Sequence, residues 1–152
     1  MALSKSRDER PGLRDASAER GFALPANLGP LVDEIELSRR ILELGDDWDG
    51  EGAPRYSELT WDRAVRFLTV NARALWDAQR IVAPMCRILP GPQGSIDLHW
   101  LAADRELLVN VAPDPCAAAS FHGDDRHGQA AIGGELSLES SAQWLLLWIA
   151  AM

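Results

Sequence analysis

Apolar positions recur along this chain with two different periods, and the change between them divides it. Leu31, Ile35 and Leu42, with Leu37, Ile41 and Leu44, form one broad face at helical spacing. Pro30 suits a first helical turn, Asp33, Glu34 and Glu36 lie near the positive end of the dipole, and Arg39 and Arg40 follow. The pattern predicts a helix over 30–44, closed by Gly45 in a left-handed conformation. A second helix is predicted from Ser57 to about Gln79. There Trp61, Val65, Leu68, Ala72 and Leu75 or Trp76 recur at three- or four-residue intervals, with Asp62, Arg63, Arg66 and Arg73 on other faces.

From Met85 the period becomes two. Ile96, Leu98 and Trp100 alternate with Ser95, Asp97 and His99, which predicts a strand over 95–100 joined by the turn 90–94 to a shorter strand over 85–89. A third strand is expected over 106–111, ended by Pro113-Asp114-Pro115. Two shorter ones, over 117–121 and 129–132, flank a polar loop of residues 122–128. Ser140 and Gln143 have capping-box spacing ahead of Trp144, Leu145, Leu147, Trp148, Ile149 and Met152, an apolar final helix. The expected fold is α+β: two N-terminal helices, an antiparallel meander of three to five strands, and an apolar C-terminal helix packed on the sheet. Residues 1–27 mix charged, Ser, Gly and Pro residues without a period and read as a flexible charged tail, with 28–152 as a single α+β domain.

Charge narrows the range of partners. The 152 residues carry a formal charge of −8, yet within the first thirty the basic side chains outnumber the acidic by one, so the remaining body stands at −9. An acidic body repels the phosphate backbone, so direct nucleic-acid binding is not expected, whereas a protein with a basic surface suits it. The longest apolar run, 144–152, has nine residues, too few for a membrane span, and no signal peptide is read at Met1. Cytoplasmic location is the expectation. Cys86 and Cys116 form no C-x-x-C pattern and read as reduced thiols.

Four constellations could carry chemistry. Asp47, Asp49, Glu51, Gly52 and Glu58 fall at positions 1, 3, 5, 6 and 12 of a calcium-binding helix–loop–helix pattern. Pro54 occupies position 8, where such a loop needs a backbone N–H. The simpler reading is a solvated acidic connection, with Ser57 as helix cap and Glu58 as a first-turn acid. Cys116, His122 and His127, with Cys86, could be drawn as a zinc site, but their spacing fits no compact zinc knuckle. Asp97 and His99 share one strand face and could act as a general-base pair, with Ser95 beside them, in a small metal-dependent or hydrolytic enzyme. No G-x-S-x-G, P-loop, dinucleotide fingerprint or H-E-x-x-H occurs, and no cofactor is expected.

The fourth is aromatic. Of six Trp, Trp61, Trp76 and Trp100 lie on apolar faces and are expected in the core. Trp144 and Trp148 either pack on the sheet or face a second copy of the chain as a homodimer. Trp48 sits among Asp46, Asp47, Asp49 and Glu51, where it anchors the loop or stands out as a contact residue.

Trp48-Asp49-Gly50-Glu51-Gly52-Ala53, a helix, and then Pro92-Gln93-Gly94-Ser95-Ile96-Asp97-Leu98-His99-Trp100 follow one another in an order that resembles a group of small bacterial proteins. These share a W-D-G-x-G-A turn and a P-x-G-x-I-x-L-x-W strand and are associated with mobile or defence-type gene neighbourhoods. The resemblance covers residues 30–111; it implies an α+β protein and carries over no catalytic residue. The leading expectation is a non-enzymatic acidic interaction protein of bacterial origin, such as an antitoxin, immunity protein, inhibitor or accessory subunit. Its contact patch is Asp46, Asp47, Trp48, Asp49 and Glu51.

Overall fold

Pro25 leads into a 3-10 turn, Ala26–Leu28, and then into helix α1, Gly29–Ser38, with Pro30 in its first turn. The computed structural model describes residues 24–151, so most of the tail expected over 1–27 lies outside the described residues. The helix expected to reach residue 44 tightens at Ser38 into a 3-10 stretch, Arg39–Glu43. Ser38 is the physical reason. Its hydroxyl donates back to the Ile35 carbonyl at 2.7 Å and accepts the Trp61 indole N–H at 2.9 Å, so the side chain competes for the helix's own acceptor. Gly45 does not adopt the left-handed conformation expected of it; Leu44, in extended backbone, ends the helical segment.

Helix α2, Glu58–Gln79, begins where its cap predicts: the Ser57 hydroxyl accepts the Thr60 N–H at 3.1 Å. Arg80, left-handed at φ 53°, closes it. Trp61, Val65, Leu68, Ala72 and Leu75 are buried as the periodicity predicts, and Ala64 and Phe67 widen the face. Trp76, expected in the core, is half-buried with the Arg80 guanidinium 5.3 Å from its ring centre.

Five antiparallel strands follow in sequence order: β1 Cys86–Pro90, β2 Ile96–Leu101, β3 Arg105–Val111, β4 Ala119–Asp125 and β5 Ile132–Leu136. Leu98 lies opposite Ile88 on one side and Val109 on the other, and Trp100 lies between Cys86 and Leu107. One sheet face is therefore apolar and carries α1, α2 and the last helix, α3, Gln143–Ala150. At the β1 edge, Glu34 of α1 accepts the Ile88 N–H at 2.9 Å.

Two expectations for the C-terminal third need correction. The loop placed at 122–128 is partly strand, since β4 continues through His122 to Asp125 and β5 starts three residues after its expected position. The inward position there is Gly123, invisible to a hydrophobic count. It must be glycine because the Trp148 ring lies over it: an added Cβ would stand 2.8 Å from that ring. Nor do Ser140 and Gln143 cap α3; Ala142 is its N-cap residue, without a side-chain cap. Asn71 of α2 does the work instead, its Oδ1 accepting the Ala142 N–H at 2.9 Å.

Candidate functional site

The acidic segment 46–55 closes on itself. Asp47, at φ 59°, donates its N–H to the Ala53 carbonyl at 2.7 Å, and its carboxylate accepts the Gly52 N–H at 2.7 Å. One oxygen of Asp49 accepts the Glu51 and Ala53 N–H groups at 2.9 and 3.1 Å. Asp46 accepts the Arg55 N–H at 3.0 Å and stands 3.7 Å from its guanidinium. Gly50 and Gly52 supply the left-handed positions that the path requires, at φ 74° and 85°. Three carboxylates thus take over backbone donors that no helix or strand satisfies. The amide bonds hold the Asp49 carboxyl below its ordinary range, chiefly through Glu51 and then Ala53.

Trp48 is carried on this closed loop with 40% of its surface exposed. Its ring leans on Tyr56, centre to centre 6.2 Å. Tyr56, not singled out by any sequence pattern, is buried, and its hydroxyl donates to the Gly91 carbonyl at 2.7 Å. The W-D-G-x-G-A turn is thereby tied to the P-x-G turn. Gly94 completes the contact, since a Cβ there would touch Pro54 at 3.6 Å and the Arg55 carbonyl at 3.7 Å.

No family model, curated protein or solved structure matches this chain.

Behind the turn, the Asn110 amide donates to Ser95 Oγ at 2.8 Å and to Asp97 Oδ1 at 2.7 Å, and Ser95 donates to the Pro92 carbonyl at 2.6 Å. Gly91 leaves room for this cluster, because a Cβ would come within 2.5 Å of Ser95 Oγ and 3.0 Å of Asp97 Oδ1. His99 instead meets Glu106 at 2.6 Å. The two members of the expected Asp97–His99 pair are thus turned to different partners, and Ser95 and Asp97 serve the turn. Neither of two cavities, about 1040 and 190 Å3, is lined by Ser95, Asp97 or His99.

Among the described residues no three His, Cys, Asp or Glu side chains gather in a way that could hold a metal ion. In the calcium pattern, Asp47 and Asp49 accept from the loop's own amides and Glu58 lies 4.0 Å from Arg39. In the zinc pattern, Cys86 is buried and Cys116 exposed. Burial pushes the Cys86 thiol up, which keeps it neutral. Trp144 is exposed and edge-on to Phe121 at 5.6 Å, whereas Trp148 has the Arg105 guanidinium 4.8 Å from its ring centre. No helix of the described residues is long and apolar enough to cross a membrane.

Proposed function

We propose that the chain is a non-enzymatic binding module that presents the loop 46–52 to a basic protein partner. Trp48 is the anchor, and Asp46, Asp47, Asp49 and Glu51 supply the surrounding charge. One observation carries the reading: a large indole is left substantially exposed on a loop whose backbone is fixed by its own carboxylates. A loop ordered in advance gives up little conformational entropy on docking. Trp is over-represented among residues that dominate binding energy, while surrounding charges of one sign steer and orient a complementary surface. An antitoxin, immunity protein, inhibitor or accessory subunit in the cytoplasm would use such a device.

The loop geometry decides which variants are informative. Asp47 and Asp49 hold the backbone, so Glu51→Gln is the cleaner neutralisation. Affinity capture with the full-length chain should retain a basic protein. Kinetics on that protein should show an off-rate raised about tenfold by Trp48→Ala, while Glu51→Gln lowers the on-rate and its salt dependence. Binding that neither variant disturbs would end the proposal.

A further inference from the structure

The two outer strands of the sheet differ in what meets them. At β1 the Glu34 carboxylate takes the Ile88 N–H. β5 pairs with β4 on one side, and among the described residues no strand pairs with its other side and no side-chain hydrogen bond reaches its backbone. Every second residue of β5 therefore turns an N–H and a C=O outward, which is the pairing surface for one more strand.

The side chains at this edge say which strand fits. Ile132 and Leu136, both half-buried, lie on the helix-bearing side with Gly134 between them, while Gly133 and Glu135 face the other way. α3 packs on α2 and β3 and leaves this end incompletely covered. Phe121 leans over Gly134, where an added Cβ would stand 3.4 Å from its ring, and Trp144, edge-on to Phe121, has 49% of its surface exposed.

The order Ile-Gly-Gly-Glu-Leu nearly repeats itself in reverse about Gly134. A second β5 laid antiparallel, with Gly134 opposite Gly134, sets Ile132 against Leu136 twice and Glu135 against Gly133 twice, so apolar residues meet and carboxylates do not. Centring on Glu135 would oppose the two carboxylates, and centring on Gly133 would carry Leu136 past the end of the other strand. At the centre the paired glycines leave a bare floor between two Phe121–Trp144 pairs, which supply the apolar area of the contact.

We propose that a second copy of this chain adds at β5, antiparallel and centred on Gly134, so that two five-stranded sheets continue into one. The contact is isologous, and with five residues on each strand it is small, which makes the dimer weak and concentration-dependent. It is independent of the acidic loop, and the two readings stand or fall separately.

Sedimentation equilibrium of the full chain in about 0.15 M salt, which screens the charge of −8 on each copy, should show the mass rising from monomer towards dimer between about 1 µM and 1 mM. Over the same range amide exchange should slow in β5 and not in β1, a readout that needs no substitution. Gly133→Glu places a carboxylate opposite Glu135 at two symmetric positions and should weaken association at least about fivefold; adding Glu135→Lys should restore it. A Cβ at residue 133 comes no closer than 3.5 Å to the Phe121 carbonyl, an ordinary contact, so the monomer keeps its fold. A monomer at about 1 mM, β5 exchange indifferent to concentration, a dissociation constant unmoved by Gly133→Glu, or a loss that Glu135→Lys does not repair would each overturn the proposal.

Discussion

The Tyr56 hydroxyl donates to the Gly91 carbonyl at 2.7 Å and joins two turns that stand 35 positions apart in the chain. Tyr56→Phe keeps the ring under Trp48 but leaves a buried carbonyl without its donor. Such a loss costs about 1–3 kcal/mol. Urea unfolding should show a lower midpoint at unchanged slope, and an unaltered midpoint would show that the bond holds nothing together.

Gly123 and Trp148 are coupled by volume. With a Cβ at residue 123 placed 2.8 Å from the Trp148 ring and 2.9 Å from Ile132, Gly123→Ala should destabilise by about 1–3 kcal/mol through overpacking. Adding Trp148→Leu should recover part of that loss, and denaturation of the double variant measures how much. Strict additivity of the two single changes would refute the coupling.

Asn71 holds the residue that leads into α3 from outside that helix. Asn71→Leu, close to it in shape, leaves the buried Ala142 N–H unpaired, and a cost of about 1–3 kcal/mol is expected. Amide exchange should accelerate from Ala142 through the start of α3 before it does elsewhere. Uniform acceleration would mean that the helix has no local dependence on this side chain.

Alkali should unfold the protein from a definite point. Burial pushes the Cys86 thiol above its ordinary 9.0 and the Tyr56 phenol above 10.0. A raised folded-state value leaves stability intact below the unfolded one and removes it as pH climbs toward the folded one, since the unfolded chain loses its proton first. Stability should hold to about pH 9 and decline above it, the earliest part of the decline disappearing in Cys86→Ala. Asp49 has the opposite sign: its lowered value makes the loop's hold present above 3.8 and lost on acidification through the folded value. The Glu51 and Ala53 amide resonances report that opening directly.

Features with local causes could be read from the residues. Ser57 ahead of a regular apolar period located α2, and strict alternation from Ser95 to Trp100 located β2 and its inward side. The remainder depends on residues distant in sequence. Gly123 has no side chain to contribute to a pattern, and its meaning comes from Trp148. The Ser38 hydroxyl that bonds back to Ile35 also accepts the Trp61 indole N–H from a different helix, and the residue ahead of α3 is held by one 71 positions earlier. In the acidic loop the cluster was plain. That Asp47 and Asp49 turn inward to backbone amides, and that Tyr56 and Asn110 support the neighbouring turn, follows from a chain path no spacing specifies.

Glu34 bears on a hazard common to open sheets. An unpaired edge strand is a template on which a foreign strand can add, and repeated addition leads to aggregates. By occupying the Ile88 N–H, the Glu34 carboxylate places a negative charge at the middle of β1, so an incoming backbone must displace it to pair with that residue. The middle of this edge is thereby guarded against strand addition without a further strand of its own.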